Sequence, residues 1–177
     1  NLGVLLLTSG DPENGLLHLM EAASLDPGRP EVFTNLGNAY LALGNRQAAS
    51  SAYRRAFELD PGQLGARSLW ASLAAEQGRF GQARQAWETV LQDDPHNAAA
   101  YQGLGVVNYL DHRPELALIH LEAALQADPG DPISHYFRGL ALAAMGKSGE
   151  AVLEFEAVAA LTSDPKLTEK ALSQAKA

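Results

Sequence analysis

The chain has 177 residues, no cysteine, 46% apolar side chains and a formal net charge of −8, from 13 Lys and Arg against 21 Asp and Glu. That apolar share excludes wholesale disorder, and the lack of Cys excludes disulfides, thiolate nucleophiles, iron–sulfur clusters and Cys-ligated zinc. The acidic balance argues against a nucleic-acid footprint, and no apolar run approaches the roughly 18 residues of a membrane span.

In chain order, Leu2-Gly3 and Val4 to Leu7 form an apolar stretch that closes at Gly10, and Asp11-Pro12 opens a segment carrying Gly15 and Leu19. Phe33, Leu36, Gly37 and Tyr40 follow at helical spacing, then Ala49, Tyr53 and Ala56 beyond Gly44. Arg67, Trp70, Ala71 and Ala74 precede Gly78, Ala83 and Trp87; Tyr101, Leu104, Gly105 and Asn108 come next; His135, Arg138, Gly139 and Leu142 after them. Lys166 to Ala177 reads as a last helix, with Asp164 as N-cap and Pro165 at its first position. Leu167, Ala171 and Leu172 are expected to cover the segment before it. No stretch alternates with period two for long enough to make a sheet.

These segments keep a beat. Asp26-Pro27, Asp60-Pro61, Asp94-Pro95 and Asp128-Pro129 recur every 34 residues, and Asp164-Pro165 comes 36 later. Gly10, Gly44, Gly78 and Gly146 share one slot, with His112 standing in it once. A small residue (Gly15, Ala49, Ala83, Ala117, Ala151) is followed four positions on by a large one (Leu19, Tyr53, Trp87, Leu121, Phe155). Small beside large at that spacing describes helices pressed close with a bulky knob at the contact. The slot glycine ends one helix by allowing a left-handed cap. The Asp-Pro ends the next, because proline lacks an N–H and biases the residue before it away from helical torsions. Pro30, Pro114 and Pro132 suit the first turn of the following helix.

The period of 34 and the pattern Phe33-x2-Leu36-Gly37-x2-Tyr40, Ala49-x3-Tyr53, Ala56 and Pro61 resemble the tetratricopeptide repeat over nearly the whole chain. The resemblance implies an all-α, right-handed α-solenoid (superhelix) of about five helix pairs plus a C-terminal capping helix. The expected organisation is an N-terminally clipped repeat at 1–29, repeats at 30–63, 64–97 (degenerate), 98–131 and 132–164, and a capping helix at 165–177, all one solenoid. The first helix, cut partway along, is expected to belong to something longer and to leave an apolar end open. Arg67, His135 and Arg138 occupy slots where apolar or aromatic residues usually pack, so the third and fifth repeats are expected to be the weak ones.

No GxSxG, Walker-type, GxGxxG or HExxH motif is present, and the five histidines never pair at i, i+4. The chain is therefore expected to be neither an enzyme nor a cofactor or metal binder. Trp70 and Trp87 fall on packing positions. The resemblance implies instead a concave groove lined by the first helix of each pair. Mapped onto this chain it gives Glu31 and Leu41 together with a polar, small middle of Thr34, Asn38, Ser68, Ser72 and Glu76. Gln102, Val106, Tyr109, Leu110, Ile133, Tyr136 and Leu140 follow in a mainly apolar portion. Exposed apolar side chains on one surface call for a cover. Two subtypes of the family fit poorly: a carboxylate clamp would need cations where Ala99 and Gly103 stand, and an asparagine ladder through Asn1 and Asn35 breaks at Leu69, Gly103 and Phe137.

The expected function is a non-enzymatic scaffold that binds an extended peptide or an amphipathic helix in that groove. The alternatives are self-assembly through the uncapped N-terminal end and a regulatory arm of a larger enzyme. Protein partners are expected, with a possible homo-oligomer, no nucleic acid and no membrane insertion. Abundant Ala, Leu and Gly with few Lys fits a GC-rich bacterium; cytoplasm and periplasm remain equally open without cysteine.

Overall fold

The computed structural model describes residues 2–176, and these form eleven α-helices and no strand. The ladder position at Asn1 and the end of the last helix at Ala177 lie outside them. The helices are α1 (Leu2–Thr8), α2 (Pro12–Leu25), α3 (Pro30–Ala42), α4 (Arg46–Leu59), α5 (Leu64–Glu76) and α6 (Phe80–Asp93), followed by α7 (Ala98–Leu110), α8 (Pro114–Ala127), α9 (Pro132–Ala144), α10 (Ser148–Leu161) and α11 (Pro165–Gln174). They fall into two compact units, Asn1–Arg79 with α1 to α5 and Phe80–Ala177 with α6 to α11.

Local chemistry sets the helix ends. Asp11, Asn45, Asn97, Asp131 and Asp164 accept backbone N–H groups of the helix that follows, which satisfies donors the first turn leaves open. Proline opens α2, α3, α8, α9 and α11, where a missing N–H costs nothing. The aspartates of two central Asp-Pro pairs also fold the turns that follow them. The Asp60 and Asp128 carboxylates accept the N–H two residues on, from Gly62 (2.9 Å) and Gly130 (3.1 Å). Turns inside the pairs use left-handed glycines at φ 72–85°, and His112 adopts φ 58° in their place.

Within each unit, sequential helices pack on one another, and no single centre gathers them. The small-against-large pattern is realised as contact. A Cβ at Gly37 would sit 2.3 Å from the ring of Tyr53, which is fully buried. Gly105 meets Leu121 and Gly139 meets Phe155 in the same way, while Gly103 receives the indole of Trp87.

The three polar residues expected to weaken their helices have partners. The Arg67 guanidinium lies 4.9 Å from the Phe57 ring centroid, and Phe57 meets Trp70 edge-on at 5.7 Å. The Arg79 guanidinium lies 5.5 Å from the Trp70 ring centroid; that indole is half-buried, whereas Trp87 is buried. On α9, His135 Nδ1 and Arg138 Nη2 reach the two oxygens of Glu154 at 2.7 and 2.6 Å, and Glu154 is itself buried. At the C-terminus, Ala171 is buried in one cluster with Phe155 and Val158, and Leu167 packs against that cluster, but Leu172 stays exposed.

Candidate peptide-binding faces

In the first unit the candidate residues lie on α3 and α5. Several polar groups there are already engaged. Thr34 Oγ1 donates to Pro30 O (3.3 Å) and Ser72 Oγ to Ser68 O (3.1 Å), both within their own helix. Asn38 Oδ1 accepts the Tyr53 hydroxyl at 2.8 Å, so its amide N–H groups are what it offers outward. Burial pushes the Tyr53 phenol up to about 12, which keeps it a donor at ordinary pH. Glu76 is held by Arg46 at 2.9 Å. Glu31 remains exposed, beside a recess of about 240 Å³ lined by Val4, Leu19, Arg29 and Asn35. Leu41 is half-buried against the Tyr53 cluster.

In the second unit the candidates lie on α7 and α9, and the surface is apolar. Gln102 is taken by the fold: its Nε2 donates to Asp131 Oδ2 at 2.5 Å and ties α7 to the cap of α9. Asp131 also accepts the N–H groups of Ile133 and Ser134. Burial alone would raise its carboxyl, yet the hydrogen bonds from Ser134, Gln102 and Ile133 prevail and hold it below the ordinary carboxylate range.

The aromatic residues brace one another. Phe137 stands edge-on to both Tyr109 (5.8 Å) and Tyr136 (5.5 Å), and Tyr136 tilts onto Phe155 at 6.0 Å. Rings locked this way present a fixed face and lose little freedom when something lands on them. Burial, with the neighbouring Tyr109 hydroxyl, raises the Tyr136 phenol. Leu110 and Ile133 are 41% and 37% exposed, and Val106 and Leu140 are half-buried. Tyr109 and Leu110 join His112, Pro114 and Ala144 around a recess of about 380 Å³.

Phe137, His112 and Ala144 were not among the expected groove residues. Phe137 is legible only as a break in the asparagine ladder, and His112 only as the odd member of the glycine slot. Among the described residues, no group of three or more His, Asp or Glu is placed to hold a metal ion, and no helix is long and apolar enough to cross a membrane.

Paired helices with glycine-to-ring contacts at a fixed period define an all-α repeat solenoid. Tetratricopeptide repeat models match residues 30–63, 68–132 and 112–166, and the chain belongs to the tetratricopeptide-repeat family. Members of that family are generally non-catalytic modules of protein–protein interaction. Superkiller complex protein 3 of Mus musculus is 32% identical over 127 residues; these make up 70% of this chain and 8% of that protein, so the chain spans a small part of its curated relative. Among solved structures, MamA from Desulfovibrio magneticus RS-1 superposes with a TM-score of 0.82 at 25% identity, over 91% of each chain. TTC0263 of Thermus thermophilus shares the fold, with a TM-score of 0.77 at 21% identity over 99% of this chain and 96% of that one. A bacterial origin is consistent with these neighbours.

Proposed function

We propose that the chain is a non-enzymatic scaffold which holds an extended peptide or amphipathic segment of another protein against the α7–α9 face. The observation that carries this reading is the braced trio Tyr109, Phe137 and Tyr136 beside exposed Leu110 and Ile133. Rigid aromatic bodies with a hydroxyl at the tip are good anchors at interfaces, and apolar area there is worth about 25 cal/mol per Å² when covered. A net charge of −8 opposes binding to nucleic acid.

A displayed peptide library selected on the wild-type chain tests the proposal. Leu140→Asp and Tyr109→Asp should each cost at least about tenfold in affinity for the selected peptides, with helical content by circular dichroism unchanged. Peptides that bind both variants as tightly as wild type would place the interaction elsewhere.

A further inference from the structure

The outer faces of the second unit carry apolar residues that repeat packing does not require. Ile119 on α8 and Leu153 on α10 occupy the same slot of the 34-residue period and are 61% and 64% exposed. Leu116, just before Ile119 on the same stripe of α8, is also exposed. The slot also holds Leu17 on α2, 64% exposed, but α4 fills it with Ser51 and α6 with Gln85, both exposed, so repeat packing does not require an apolar residue there. Leu118, next to Ile119, packs against the cluster of Leu142, Ala151, Phe155, Val158 and Ala171, three of them on α10, so α8 and α10 share that core.

Three residues beyond that slot, each helix carries a carboxylate: Glu88 on α6, Glu122 on α8 and Glu156 on α10, in register and exposed. The ion pairs of this unit are made by other acids, Asp111, Glu150 and Glu154. Among the described residues the ion pairs thus leave Glu122 and Glu156 as exposed negative charge beside the apolar ridge. The equivalent slots in the first unit hold Met20 and Arg54, so the row is particular to the second unit.

We infer that this ridge docks a basic amphipathic helix from a protein partner, with apolar side chains over Leu116, Ile119 and Leu153 and Lys or Arg against Glu122 and Glu156. α8 and α10 each pack on α9, and residues i and i+7 of a docked helix are about 10.5 Å apart, so its apolar stripe follows Leu116 and Ile119 along α8 and extends toward Leu153. The charge row selects the occupant. A second copy of this chain would set identical carboxylates against each other, and an anionic membrane would be repelled. This surface is separate from the α7–α9 face and stands or falls independently of it.

The test uses the full chain and a labelled synthetic helix of about 18 residues, roughly 27 Å long, with Leu on one face and Lys along its flanks. A twin with Glu in place of Lys is the control, and fluorescence anisotropy gives the affinities. The wild type should bind the Lys helix and not the twin. Ile119→Ser/Leu153→Ser should weaken binding at least tenfold. Glu122→Lys/Glu156→Lys should abolish it and confer binding to the twin. All four positions are exposed, and unfolding curves check that the variants fold. Leu140→Asp should bind as wild type does.

Four results would each overturn the inference: no binding of the Lys helix by the wild type, loss with Leu140→Asp but not with the serine pair, Ile119-dependent self-association by light scattering, or Ile119-dependent binding to vesicles rich in phosphatidylserine.

Discussion

Gly37 is where the packing of the first unit can be tested most sharply. A methyl group there would lie 2.3, 2.5 and 2.8 Å from Tyr53 Cε1, Cδ1 and Cζ. Tyr53 cannot swing away, because it is fully buried and its hydroxyl donates to Asn38. Overpacking of this severity costs about 3 kcal/mol, and the better helix propensity of alanine returns about 1 kcal/mol. Gly37→Ala should therefore lose about 2 kcal/mol. Gly65→Ala is the control: it lies at the start of α5 in the same unit, its Cβ meets nothing within 4 Å, and it should gain about 0.5 kcal/mol. Each unit holds one of the two tryptophans, so urea unfolding followed by Trp70 fluorescence in a Trp87→Phe background reads the first unit alone. If Gly37→Ala matched the parent, or Gly65→Ala fell as far as Gly37→Ala, the reasoning from glycine-to-ring contacts would be wrong.

Other outcomes follow from the same contacts. Glu154→Ala strands His135 and Arg138 beside a buried void and should cost about 2–3 kcal/mol, seen as faster hydrogen exchange in α9 and α10. The Asp131 carboxyl sits below its ordinary value in the fold, so its contribution is complete above the ordinary carboxyl range and is lost as pH falls through the folded value. The stability gap between wild type and Asp131→Asn should accordingly narrow on acidification, and a gap that widened would contradict this. In an alkaline absorbance titration of the five tyrosines, Tyr53 should ionise at about pH 12, and Tyr53→Phe should remove that step.

What the sequence reveals depends on how far a contact repeats. Gly37 with Tyr53, Gly105 with Leu121 and Gly139 with Phe155 share one offset, so periodicity alone points to them. The caps and Asp-Pro turns are equally legible, because each is decided within three or four residues. Contacts made once are not. Nothing near Gln102 announces that it will serve Asp131, which takes it from groove residue to strut. Glu154 answers His135 and Arg138 from the next helix, so two polar residues that look misplaced one at a time share a partner. Phe137 braces two tyrosines through tertiary packing that no spacing records. The outer ridge escapes for another reason: apolar periodicity shows which side chains could be buried, and Ile119 and Leu153 are surplus to what the core can take.

His112 places stability and recognition in opposition at one residue. Its left-handed backbone costs about 1 kcal/mol that glycine would not, and what the chain holds in exchange is an imidazole wall at the recess beside Tyr109 and Leu110. Grafting in the glycine of any sister turn would relax that corner and at the same stroke strip the threshold from the recess. The five hairpin bends, alike in outline, are not interchangeable parts.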